Sequence, residues 1–92
     1  MNQVTDDNIN KIKDIVKMWL LNQVGKQTHW KNFGILLTKD ISINNNEILF
    51  NFLCSYQWQL NSWIKDVSKE IYIVFDIKKN KVVYCSEIVI EV

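Results

Sequence analysis

ILFNFLCSYQWQL, residues 48–60, holds a period of two from end to end. Ile48, Phe50, Phe52, Cys54, Tyr56, Trp58 and Leu60 are apolar or aromatic. Asn51, Ser55, Gln57 and Gln59 alternate with them, and only Leu49 and Leu53 fall out of step. A helix would smear that pattern around its circumference, so the stretch reads as one long strand with one strongly apolar face. At about 3.3 Å per residue it runs roughly 43 Å, well beyond the usual five or six residues. The rest of the chain must be arranged to cover it.

Upstream, Thr5, Asp6 and Asp7 sit where an N-cap and an acid-favouring first turn belong, and Gly25 sits where a C-cap glycine belongs. The interval 6–24 reads as a helix. Its stripe is Ile9, Ile12, Val16, Trp19, Leu20 and Val24, with Ile15 at the margin, while Lys11, Asp14, Lys17 and Asn22 face water. Met18 and Leu21 do not fit this division and point toward solvent.

Three further strands follow from alternation and turn chemistry. From Phe33 to Ile43 the odd positions Phe33, Ile35, Leu37, Ile41 and Ile43 are apolar, with an inward Lys39 as the exception. Gly34 eases the chain into this strand, and Asn44–Asn46 supply a residue type that tolerates hairpin turns. Opposed residues of an antiparallel pair share a face, so apolar odd positions must meet apolar even ones. A turn at Asn44 and Asn45 sets Ile41 against Ile48, Leu37 against Phe52 and Ile35 against Cys54. A third strand over 67–78 carries Ile71, Ile73, Phe75 and Ile77. With a turn at Lys65 and Asp66 it pairs Leu60 with Ile71, Trp58 with Ile73 and Tyr56 with Phe75, although Trp63 and Ile64 equally suit a short helical turn. A fourth strand over 81–92 carries Val82, Tyr84, Ile88, Ile90 and Val92, and a turn at Lys79 and Asn80 brings Tyr84 opposite Phe75.

All three junctions agree on one face. The fold expected is α+β: an N-terminal helix packed on a four-stranded antiparallel meander sheet, order 1-2-3-4, as a single domain over residues 1–92. In outline this resembles cystatin-like and NTF2-like folds. The likeness is to architecture only, since no sequence motif of either family is present, and architecture does not carry function.

Composition narrows the chemistry. A chain of 92 residues, 48% of them hydrophobic, makes one small domain. The formal charge of +1 supplies no net field toward nucleic acid, anionic membrane or acidic substrate. All eleven basic residues are Lys, and the absence of Arg counts against specific nucleic-acid recognition. Ala and Pro are also absent, a bias that points to an AT-rich genome. A polar, acidic N-terminus and no apolar run of membrane-spanning length lead us to expect a cytoplasmic protein with no membrane association and free thiols.

Few reactive constellations are present. His29 has no identifiable carboxylate or nucleophile beside it and reads as a solvated loop residue. Strand parity puts Cys54 on the helix-facing side and Cys85 on the other, so no disulfide between them is expected, and one His with two Cys cannot close a zinc site. Asp76 and Glu87 on the outer face read as solvated charges, and Lys78, Lys79 and Lys81 as a charged turn. No catalytic residue, metal or cofactor is assigned.

Surplus apolar surface remains. A helix over 6–24 is roughly 28 Å long and about 10 Å wide, and cannot cover a sheet about 19 Å wide whose longest strand runs about 43 Å unless the sheet curves strongly. Leu36, Leu49, Leu53, Tyr72, Val74, Val83, Cys85 and Val89 also fall on the face away from the helix. These features predict a small non-enzymatic protein-binding module, an inhibitor, immunity or anti-defence protein of a mobile element, that binds a protein partner or forms a homodimer through the open edge of strand four. The expected surface is Met18, Leu21, Val74, Val83, Cys85, Glu87 and Val89. The competing expectation is a small-ligand or enzymatic pocket between helix and sheet lined by Trp19, Tyr56, Trp58 and Tyr84, with Ser62 and Ser86 for specificity.

Overall fold

The computed structural model describes residues 5–90. In them one helix packs on a four-stranded antiparallel sheet of order β1-β2-β3-β4, the α+β meander that alternation implied. The helix, α1, spans Asp6–Val24; the strands are β1 Trp30–Asn44, β2 Glu47–Leu60, β3 Trp63–Asp76 and β4 Lys81–Cys85.

Helix α1 starts where its cap dictates. The Thr5 side chain accepts the Asn8 N–H at 3.2 Å, and Asp6 and Asp7 occupy the first turn, where negative charge favours the dipole. Gly25 ends it at φ −59, an ordinary right-handed conformation, so the left-handed freedom that makes glycine the usual terminator is not used. Val16, Leu20 and Val24 are buried, and Ile12 and Trp19 pack at the margin of the same core.

On β2, Ile48, Phe50, Phe52 and Cys54 are buried toward α1, and β3 adds Ile71, Ile73 and Phe75. Removing a large apolar side chain from water in this way contributes about 1.5–3 kcal/mol per residue. Period-two alternation therefore placed these side chains on the correct face, and the exact pairings are where the structure differs.

The first hairpin turns at Asn45 and Asn46, one residue later than expected, so Ile43 opposes Ile48 and Ile41 opposes Phe50. Irregularities between Lys31 and Gly34, Ile35 and Leu37, and Thr38 and Asp40 then shift the register stepwise. Ile35 still meets Cys54, as expected. Phe52 meets Thr38, and Leu37 turns outward against Leu53. The irregularity after Thr38 also carries Lys39 to the outer face, where its Nζ lies 3.4 Å from Glu70 Oε2; it is not an inward charge.

Between β2 and β3 the correction is larger. The turn is Asn61–Ser62, so both strands extend to the hairpin end with Leu60 opposite Trp63, and the short helical turn considered for this connection is absent. The turn lies four residues earlier than expected, so each residue's partner changes by eight: Phe52 meets Ile71, Phe50 meets Ile73 and Ile48 meets Phe75. An even displacement keeps every side chain on its own face, and so the face assignment survived a wrong turn. Asn45, Asn61 and Asn80, all at hairpin turns, and Asn32 in an irregular part of β1 adopt φ of 55–56°, the left-handed region that Asn tolerates better than other non-glycine residues.

Strand β4 departs most. It is a five-residue strand, not one reaching Val92, and a bulge sets Val83 and Tyr84 together against Val74. Beyond the bulge parity inverts: Cys85 opposes Ile73 and is buried toward α1, whereas Tyr84 faces outward. Ser86 ends the ladder, its N–H donating to the Tyr72 carbonyl at 2.9 Å and its Oγ accepting the Tyr72 N–H at 3.0 Å. The chain then leaves the sheet. Ile88 is buried beside the helix, Ile90 is partly so, and Lys69 Nζ holds Glu87 Oε1 at 2.9 Å. Away from the β2–β3 hairpin end, the inner face is thus covered by α1 and the 86–90 segment together; Glu91 and Val92 lie outside the described residues.

Candidate functional site

β2 has 14 residues and α1 has 19, so at about 3.3 and 1.5 Å per residue the strand runs about 46 Å and the helix about 28 Å. The long axis of the molecule is 51 Å. What the helix leaves uncovered is the inner face of the β2–β3 hairpin end and the start of β1.

That end is a shelf of aromatic side chains. Trp30 stacks on Tyr56 with ring centroids 4.3 Å apart and planes 15° from parallel, and Phe33 lies 6.0 Å from Tyr56. Trp58 meets Trp63 edge to face at 6.1 Å, and the His29 ring sits 5.3 Å from Trp58. Cross-strand pairing explains the row, because Trp30, Trp58 and Lys65 are successive partners across β1, β2 and β3, and Leu60 faces Trp63 at the tip. Trp63 is 66% exposed and Leu60 42%. An open groove of about 590 Å³ runs along this hairpin between Tyr56, Trp58, Trp63, Lys65, Val67 and Lys69, and no α1 residue lines it.

The polar groups around the shelf are mostly engaged. His29 Nδ1 lies 3.0 Å from the Gln59 carbonyl oxygen, and the Gln59 N–H donates to the His29 carbonyl at 2.8 Å, so this residue extends the β1–β2 pairing. His29 lies in the turn before β1, as expected, but its hydrogen bond and ring packing hold it half-buried against the sheet instead of leaving it solvated. The hydrogen bond to Glu87 holds the Lys69 ammonium above its ordinary pKa, and burial raises the Tyr56 hydroxyl. Burial pushes the Cys54 thiol up to about 11, with Cys85 nearby adding to the shift, and burial raises Cys85 as well against the opposing pull of the Glu87 and Ile88 amides. Both cysteines are free. Among the described residues no group of three or more His, Cys, Asp and Glu could hold a metal ion, and no helix is long and apolar enough to cross a membrane.

The residues expected to form a partner surface do not converge on one place. Met18 and Leu21 lie on the solvent side of α1 with Ile15, and Met18 is 65% exposed. Val74 and Val83 are half-buried on the outer sheet face beside the β3–β4 hairpin. Val89 is fully displayed on the C-terminal segment, and Glu87 is tied to Lys69. Cys85 is only 7% exposed and belongs to the core, because the bulge reverses its parity. The expected pocket also divides: Tyr56 and Trp58 line the shelf groove, Trp19 lines a separate cleft of about 630 Å³ against residues 87–90, and Tyr84 faces away.

Most of the outer face is polar. Asn32 Nδ2 donates to Gln57 Oε1 at 2.9 Å, and Asn51 Nδ2 donates to Glu70 Oε1 at 2.7 Å. The Asn51 bond, with Lys39 assisting, holds the Glu70 carboxyl below its usual range. The shelf itself was legible only in part. Alternation puts Trp58 and Tyr56 on the correct face, but the sign that they lie beyond the helix is Asn61–Ser62, a turn pair of the same kind as Asn45–Asn46.

Comparison with protein-family models, with curated proteins and with solved structures gives no match. The outline likeness to cystatin-like and NTF2-like folds therefore has no structural match behind it.

Proposed function

We propose that this chain is a small non-enzymatic module that binds a protein through the aromatic shelf, acting by occupying a surface, as inhibitor and immunity proteins do. The observation that carries this reading is the extension of the sheet beyond its helix, which leaves Leu60 and Trp63 displayed beside half-buried Trp58 on a rigid paired scaffold. Tryptophan on a rigid element loses little conformational freedom on contact and is the residue type most enriched among energetic hot spots. The five-residue β4 is too short to carry an edge-pairing interface by itself, and β1, the other edge, is broken by three register shifts of the kind that discourage strand addition.

The test is quantitative affinity capture on the immobilised full chain from the native host, comparing wild type with Trp63→Asp and with Val89→Asp as an exposed control. A stoichiometric protein partner lost with Trp63→Asp and retained with Val89→Asp supports the reading. Capture indifferent to Trp63 contradicts it. A small-ligand site is the second reading, favoured by the volume of the groove, which falls within the range of ligand pockets, and by Lys65 and Lys69 at its wall. It requires a co-purifying small molecule that Trp63→Asp releases.

A further inference from the structure

The chain carries a second unpartnered apolar surface, and it matches the first. Ile15, Met18 and Leu21 form an exposed ridge on α1. At about 100° per residue the ridge centre lies roughly 160° around the helix from the buried stripe Val16, Leu20 and Val24, so it faces directly away from the sheet. Solvent-facing helix positions have no intramolecular reason to be Ile, Met and Leu at this spacing. Resting on the reading of the shelf as a protein-binding surface, we propose that its occupant is a second copy of this chain, whose α1 ridge lies on the shelf while its own shelf receives the first copy's ridge.

The geometry closes. Sheet and helix form two layers about 10 Å apart, and the helix occupies about 28 of the strand's 46 Å; of the roughly 18 Å of inner face beyond it, the 25–29 connection covers the β1 side through His29 on Trp58, and the β2–β3 side is open. A two-fold axis through the helix layer, perpendicular to the long axis and near the end of α1, turns a second copy face down. Its helix then enters the open half of the same layer. The result is three layers, sheet, helix pair, sheet, in which each α1 is held between its own sheet and the other copy's shelf. The contact is isologous and closed, so it stops at two copies and does not propagate into a fibre.

Area and charge permit it. Complete burial of exposed Trp63 and Leu60 and partly exposed Trp58 and Trp30 on one side, and of Ile15, Met18 and Leu21 on the other, would remove up to roughly 700 Å² per copy, somewhat below the per-partner area of a standard interface. The net charge of +1 imposes almost no repulsion between copies.

Sedimentation equilibrium of the full chain tests this with Met18→Asp and Trp63→Asp, each checked for retained sheet by circular dichroism. Met18 is exposed on the helix, so its substitution leaves the fold intact. The wild type is expected to be a dimer, and either variant to weaken dimerisation by roughly 1,000-fold, a hot-spot loss counted twice by symmetry. Mixing the two variants should recover part of the association, to within roughly 30-fold of the wild type, because the mixed pair keeps one intact ridge-on-shelf contact and confines both substitutions to the other. A wild type monomeric at all concentrations, a dimer that survives both substitutions, or a mixture that associates no better than either variant alone would overturn the proposal. A monomer that still captures a partner through Trp63 overturns only the second copy and leaves the shelf reading standing; loss of both overturns the shelf.

Discussion

Phe52→Ala paired with Leu53→Ala measures the face assignment at the centre of β2. Phe52 is fully buried: its ring lies 5.7 Å from Phe50 at 11° between planes, Lys17 Nζ sits 6.0 Å above it, and Thr38 and Ile71 oppose it on the neighbouring strands. Thr38 and Ile71 are held in place by sheet pairing and limit collapse into the space, so truncation leaves a cavity and should cost roughly 3–5 kcal/mol. For 92 residues the whole stability is about 5–14 kcal/mol, so this one side chain accounts for a large part of it. Leu53 is the next residue, half-buried on the opposite face beside Leu37 and Glu70, and its truncation should cost about 1 kcal/mol. Urea unfolding followed by circular dichroism, with an unchanged dependence on denaturant, gives both values. Equal losses at the two positions would refute the assignment of one core face.

Further outcomes follow from local geometry. Gly25→Ala should stabilise by about 0.4–1 kcal/mol in the same assay, because φ is already −59 and an added Cβ meets only ordinary contacts at 3.5 Å. Asn61→Val should destabilise by about 1–2 kcal/mol, since φ of 56° crowds a branched side chain, whereas Asn61→Gly should be close to neutral; a harmless valine would place the turn elsewhere. The folded-state pKa of Cys54 is raised, so its contribution is fully present below about pH 9 and lost as pH climbs toward about 11, on the order of 2–3 kcal/mol in all. Denaturant titrations across that window should fall more steeply for wild type than for Cys54→Val, and parallel curves would argue against a buried thiol.

What the sequence makes legible is a matter of parity. Hairpin turns of two or four residues leave faces unchanged, so the wrong turns at Lys65–Asp66 and Asn44–Asn45 still delivered Phe50, Phe52, Ile71 and Ile73 to the core. Bulges reverse parity, and alternation carries no mark of them: Val83–Tyr84 moved Cys85 inside, and the step after Thr38 moved Lys39 outside. Val82, Tyr84, Ile88 and Ile90 keep even spacing through a segment that is no longer strand, so periodicity extended β4 past its end at Cys85. The excess of sheet over helix was readable from lengths alone. Where the excess falls, and with it the shelf, depends on the Asn61–Ser62 turn, which alternation alone does not place. Of the expected surface, Met18 and Leu21 are the members that the proposed contact uses.

Hydroxyl-radical footprinting across a concentration series reads the central claim most directly, because it reports the solvent access of Met18, Trp63, Tyr84 and Val89 in one experiment. These side chains are all exposed in the isolated chain. The account predicts that Met18 and Trp63 become protected together as concentration rises while Tyr84 and Val89 keep their reactivity. Protection of Tyr84 with Val74 on the outer face, leaving Met18 and Trp63 open, would contradict it.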